Sequence, residues 1–149
     1  MINIRKAVIE DSQFIIDFQI RMAWETERLT LDPDTVAKGV NAVFKVPSRG
    51  QYFVAAEDET VIASLLITYE WSDWRNCNVW WFQSVYVVPD YRRKGIFRRM
   101  YLYIKDQAIM QGAAGLRLYV ETKNSVARNT YEALGMSSEH YSFYEWMMK

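Results

Sequence analysis

Residues 85 to 99 read V-Y-V-V-P-D-Y-R-R-K-G-I-F-R-R. An apolar run ends at Pro89, a short turn follows, and then come basic residues, a glycine and a segment of helical periodicity. Backbone N–H groups in such a turn can converge on one spot. The start of the next helix adds unpaired N–H groups and the positive end of a dipole. Together these make an anion site built mainly from main chain. Gly95 allows close approach of backbone to ligand. Arg92, Arg93, Lys94, Arg98 and Arg99 surround it with positive charge. The chemistry expected is the binding of a phosphorylated cofactor. A solvated basic helix start and a nucleic-acid patch are the competing readings. Neither explains the order strand, proline, turn, glycine, helix.

A second segment, residues 124 to 136, reads N-S-V-A-R-N-T-Y-E-A-L-G-M. Ser125 can cap a helix and Gly135 can end it. Ala127, Tyr131 and Leu134 then share one face. On its own this segment reads equally as a core-facing tyrosine with an incidental Asn.

The pattern V-x-P-x-Y-R-x-x-G-I resembles the acyl-CoA signature of the GNAT superfamily of N-acetyltransferases. Its core, Q/R-x-x-G-x-G/A, is Arg92-Arg93-Lys94-Gly95-Ile96-Phe97 here, with Phe97 where Gly or Ala is usual. Residues 124 to 136 resemble the family's downstream N-x-x-A-x-x-x-Y-x-x-x-G-F, with Met136 replacing Phe. The likeness covers most of the chain and is nearest to the small single-domain bacterial members. It implies an acetyl-CoA-dependent N-acetyltransferase working by direct transfer in a ternary complex. The strand Val85-Tyr86-Val87 would hydrogen-bond the pantetheine, and a backbone N–H there would polarise the thioester carbonyl. Residues Arg92, Arg93, Lys94, Gly95, Ile96, Phe97 and Arg98 would hold the pyrophosphate. Asn124 would bond the pantetheine arm, and Tyr131 would protonate the departing sulfur.

Many relatives place Glu or Asp on the strand six or five residues before the proline. Those positions are Gln83 and Ser84 here, and neither is a base at neutral pH. Glu25, Glu27, Glu70 and Glu121 are the other candidates, along with a water chain. The missing carboxylate leaves a non-catalytic acyl-CoA sensor as the alternative function. The acceptor site would be lined by the first two helices and the loop at Trp71. Trp24, Trp71, Trp74, Trp80 and Trp81 with Glu25, Glu27, Glu70 and Asp73 suit an aromatic, acidic pocket for a cationic amine. They suit a core or a homodimer interface as well.

Composition narrows the classes. A length of 149 residues is that of a single domain, 1–149, and half its residues are apolar. Eighteen basic residues balance eighteen acidic ones, which argues against a general nucleic-acid or membrane binder. Cys77 is the only cysteine and His140 the only histidine. No internal disulfide and no usual zinc site can form, and the expected location is cytoplasmic. The N-terminus lacks the apolar core of a signal peptide.

The elements that must position these groups follow from periodicity. Residues 2–8 alternate as a strand. Glu10, Asp11 and Ser12 start a helix with the stripe Phe14, Ile15, Phe18 and Met22. Asp32-Pro33 starts a second, carrying Val36, Val40, Val43 and Phe44. Strands are expected at 51–57, 61–70 and 79–88, with a hairpin turn at 57–59 and a polar-aromatic loop at 71–78. A helix at 96–111 faces inward through Phe97, Met100, Tyr101, Ile104 and Ala108. A strand at 116–120, a helix at 125–134 and a last strand at 142–148 complete β-α-α-β-β-β-α-β-α-β. The fold class is α/β, with a mixed sheet and helices on both faces, which is the GNAT topology.

Overall fold

A computed structural model describes residues 1–149 as two compact units, Met1–Arg117 and Leu118–Lys149. The first holds a five-stranded sheet in the order β1-β2-β3-β4-β5. Its elements are β1 (Ile2–Lys6), α1 (Ser12–Glu27), α2 (Pro33–Lys45), β2 (Gln51–Glu57), β3 (Thr60–Ser72), β4 (Cys77–Val87), α3 (Ile96–Met110) and β5 (Gly115–Arg117). The first four strands pair antiparallel. β4 and β5 pair parallel, because α3 is the crossover between them.

β2 shows why both faces are covered. Its run Tyr52–Ala56 is buried on both sides. Tyr52 and Val54 pack with Ile15, Ile16 and Phe18 of α1 and Val40 of α2. Phe53 points the other way, onto Tyr103 of α3 at 6.0 Å between ring centroids. Phe82 of β4 stacks on Tyr101 of α3 at 5.7 Å. Along α1 the buried residues are Ile15, Ile16, Phe18 and Ala23, whereas Phe14 is exposed. The expected stripe was therefore rotated: Ile16 takes the core place assigned to Phe14.

Two caps set the helix entries. The Asp32 carboxylate accepts from the Thr35 N–H at 3.1 Å and the Thr35 hydroxyl at 2.6 Å, with Pro33 in the first turn as expected. Asp11 does not cap α1. Its carboxylate accepts from Arg5 at 2.7 and 3.0 Å and from the Val8 N–H at 2.8 Å, tying β1 to the helix start. Burial alone would raise its pKa, but the Arg5 and Val8 hydrogen bonds prevail and hold it below the usual range.

The expected loop at 71–78 is mostly ladder. Strand pairing runs to Ser72 opposite Cys77, and only four residues, 73–76, turn the chain. The polar alternation of an exposed strand end resembles loop composition, which hid it.

The second unit carries α4 (Ser125–Ala133). Its cap is Asn124, not the expected Ser125: the Asn124 side-chain oxygen accepts from the Ala127 N–H at 3.1 Å. Gly135, at φ 91°, ends it. Gly135 N–H reaches the Glu132 carbonyl and Met136 N–H the Tyr131 carbonyl, the paired bonds of a left-handed helix stop. Tyr119 stacks on Phe143 at 5.0 Å. Residues 118–120 and 142–148 carry no assigned strand, so the expected last strand is absent from the element order. Alternation marks a chain able to pair, but a strand exists only through its ladder, and this unit contains no strand to pair with.

Candidate active site

β4 is the axis of the site. Opposite Leu65 of β3 stand two residues of β4, Ser84 and Val85, because the register passes from Leu66–Gln83 to Ser64–Tyr86. This is a β-bulge, and Ser84 adopts a φ of 53° within it. On its other side β4 pairs with β5 only from Val79 to Trp81. Beyond Trp81, the outer edge of Phe82–Val87 has no β5 partner. The bulge interrupts the regular spacing of main-chain donors and acceptors along this part of β4.

The chain leaves this edge through a 3-10 turn at Pro89–Tyr91. The Tyr91 hydroxyl donates to the Glu57 carboxylate and so anchors the turn to the end of β2. Arg93 and Gly95 then take positive φ values of 63° and 76°. No atom lies within 4 Å of where a Cβ on Gly95 would stand, so the space above it is open. The first helical bond of α3 runs from Arg99 N–H to the Gly95 carbonyl. The amides just before it belong to the first turn, where a helix supplies no internal acceptor. The turn, the expected anion cradle, therefore combines two left-handed residues with the uncapped first turn of a helix.

The cations are arranged differently from the expectation. Arg92 does not face the cradle. Its Nε donates to the Val87 carbonyl at 2.8 Å, its Nη2 lies 3.3 Å from Glu25, and its guanidinium sits 5.3 Å over the Tyr86 ring. Its own N–H closes the 3-10 turn on the Pro89 carbonyl. Arg99 donates to the Ile2 carbonyl at 2.9 Å. Lys94 lies over the Tyr91 ring at 5.4 Å. Arg93 and Arg98 remain exposed at the turn. Phe97, expected beside the pyrophosphate, turns its ring toward Phe82 at 6.1 Å on the α3 face of the sheet. Its bulk therefore need not displace an anion from the cradle.

The opposite face of β4 is polar. Trp81 Nε1 and Arg117 Nη1 both donate to Glu70, each at 2.9 Å, and Gln83 Nε2 donates to the Thr68 hydroxyl at 3.1 Å. Hydrogen bonds from Trp81 and then Arg117 hold the Glu70 carboxyl below its usual range. Glu25, on the last turn of α1, is also held down, first by the Tyr86 hydroxyl and then by Arg92. That hydroxyl is buried and has no partner at full hydrogen-bond geometry, so its approach to Glu25 is near contact, short of a formed bond. Burial and then Glu25 push the Tyr86 phenol up.

The aromatic, acidic pocket is not assembled as one group. Glu70 and Trp71 are neighbours on β3 and so point to opposite faces. Trp71 lines a separate hollow of about 340 Å³ with Tyr69, Cys77 and Trp80. Trp80 is buried against Tyr69, Trp74 is exposed in the hairpin turn, and Trp24 is half-exposed near Arg28. Glu27 ends α1 and is exposed.

In the second unit, Asn124 uses its side-chain oxygen as the α4 cap. Burial raises the Tyr131 phenol above its usual value. Glu121 lies exposed before α4. Sequence reasoning missed the roles of Arg117, Glu57 and Arg21, whose guanidinium lies 5.6 Å from the Tyr86 ring. No local signal pairs Tyr91 with Glu57, which lies 34 residues away in the chain.

Comparisons with known proteins bear on the fold and the family. A crystal structure of a possible acetyltransferase from Clostridium difficile 630 is 43% identical, with a TM-score of 0.92, covering 100% of this chain and 99% of that one. A predicted acetyltransferase with acetyl-CoA from Clostridium acetobutylicum has the same fold at 16% identity and a TM-score of 0.77, covering 97% and 96% of the two chains. The thialysine N-epsilon-acetyltransferase of Bos taurus is 32% identical over 75 residues, 50% of this chain and 44% of that protein. The mouse (Mus musculus) protein of the same name is 29% identical over 90 residues, 60% and 50% of the two. The chain spans about half the length of these curated relatives. The acetyltransferase (GNAT) family profile matches residues 11–136, which takes in the bulged strand, the cradle and α4, and the chain belongs to that family.

Proposed function

We propose that the chain is an acetyl-CoA-dependent N-acetyltransferase that moves an acetyl group to a primary amine by direct transfer in a ternary complex. The observation that carries this is the continuity of the bulged β4 strand with the left-handed turn at Gly95. An extended arm and a pyrophosphate need those two features side by side. Acetyl-CoA supplies the activated thioester. Val85, Tyr86 and Val87 hold the pantetheine through main chain, and a bulge amide polarises the thioester carbonyl. The amides from Arg93 to Arg98 take the pyrophosphate, aided by the exposed Arg93 and Arg98. Asn124 reaches the arm through its NH₂. Tyr131, kept protonated by its raised pKa, donates to the sulfur.

Glu70 and Glu25 are poor bases near neutrality, because their partners favour the charged form. Glu27, Glu121 or a water chain is then left to take the amine proton. The names of the curated relatives make thialysine the first acceptor to test. Action as one 149-residue domain, cytoplasmic residence and assembly as a homodimer belong to this same proposal. No helix is long and apolar enough to cross a membrane.

Acetyl-CoA should raise the melting temperature by mass action. An acceptor screen following free CoA should then find turnover. No thermal shift at saturating acetyl-CoA would sink the reading. A shift without turnover on any amine would favour the sensor, which Gln83 and Ser84 keep in view.

A further inference from the structure

We infer that Arg92, the first residue of the cradle motif, is a positioning residue that staples the cradle to α1, and not a phosphate ligand. This rests on the acetyl-CoA reading of the same turn. An arginine in an anion motif would be expected to aim at the anion. Here all of its contacts lie elsewhere. Its N–H closes the 3-10 turn on Pro89, and its Nε binds the last carbonyl of β4. Its far end meets Glu25, which is 67 residues away in the chain. Its flat face covers the ring of Tyr86, whose other cation is Arg21 of α1.

Three elements meet at this one residue: the end of β4 and the last turn of α1 through its side chain, and the turn after β4 through its own N–H. The cradle works only if its amides converge, and the turn at Pro89 is their hinge. Fixing Arg92 to Val87 and Glu25 sets the hinge angle against both the strand and the helix. The planar fork suits this task, since Nε and a terminal nitrogen can engage two partners at once. A lysine ammonium cannot span both in the same geometry, yet it serves well as a point charge for phosphate. Arg92→Lys therefore separates the two roles.

The test is calorimetric titration of acetyl-CoA at two salt concentrations into wild type, Arg92→Ala, Arg92→Lys, Glu25→Gln and the Arg92→Ala/Glu25→Gln pair. Arg93→Ala serves as the reference for a lost phosphate contact. A positioning role predicts about tenfold weaker binding for both Arg92 variants, with the salt dependence of wild type retained. Arg93→Ala should flatten it. Glu25→Gln, a mild exposed change, should weaken binding about threefold and add nothing to Arg92→Ala, because the two act as one unit. Arg92→Lys with wild-type affinity, or Arg92→Ala with a flattened salt dependence beside a silent Glu25→Gln, would overturn the inference. A wild-type protein that binds no acetyl-CoA would instead defeat the acetyl-CoA reading on which it stands.

Discussion

The cradle after Pro89 and the polar face around Glu70 flank the same strand, yet they are made of different material. The cradle is main chain held by a few anchors: Tyr91 on Glu57, Arg92 on Val87, Arg99 on Ile2. The polar face is a set of side chains satisfying one another, with Glu70 between Trp81 and Arg117 and Gln83 on Thr68. Main chain offers the same donors whatever the side chains are. A side-chain face changes with every substitution. The comparison teaches that a site built of main chain outlasts side-chain changes that would remake a face built of side chains.

The strongest way to break that contrast is Gly95→Val. A β-branched residue at a φ of 76° is strained even in open space. The acetyl-CoA thermal shift should vanish, with affinity down about a hundredfold or more, while Gly95→Ala keeps part of it. Equal affinity of wild type and Gly95→Val by calorimetry would show that the cradle is not main chain.

Asp11 offers a control away from both regions. Asp11→Asn should cost about 2 kcal/mol of stability, the scale of a charged hydrogen-bond set with one partly exposed partner. The sign with pH follows from its lowered pKa. The contribution is full above the ordinary Asp range and is lost as pH falls through the depressed folded value. Urea titrations at neutral and acidic pH should show the two proteins converging in acid. A constant gap would remove Arg5 and Val8 as the cause.

Tyr131→Phe sharpens the comparison at the level of chemistry. Acetyl-CoA affinity should hold while turnover drops about tenfold or more, as for loss of a general acid. Unchanged turnover, with chemistry shown to be rate-limiting, would leave the thiolate proton to solvent.

The smallest effect belongs to Glu70→Gln. A carboxyl held below its usual range is already ionised near neutrality and accepts protons poorly. Turnover should change by no more than about twofold, and the rate profile between pH 6 and 9 should keep its shape. Loss of an acidic limb would make Glu70 the base after all.

Legibility in the sequence follows the same division. Proline, glycine and helical periodicity are local signals, and they located the cradle, the start of α2, the whole of β2 and the span of α3. The destination of Arg92 depends on Glu25, and that of Arg117 on Glu70, so neither could be read from neighbours in the chain. Asn124 and Ser125 are both good caps, and only backbone geometry chooses between them. The hairpin at 71–78 was hidden because its exposed ladder lacks apolar alternation. The Glu70–Trp81–Arg117 contacts join three different strands, and strand register is not written in the local sequence.

The bulge at Ser84 has a consequence outside catalysis. A straight, bare edge bearing Phe82, Val85 and Val87 would be a template along which a second copy could zip, and such edges seed aggregates. The positive φ at Ser84 breaks the flat row of donors and acceptors. A slender ligand can follow that broken row, but another strand in regular register cannot. Removing one bulge residue would straighten the strand and restore a regular row of donors and acceptors. The irregularity thus makes this strand a poor template for regular pairing with a second copy.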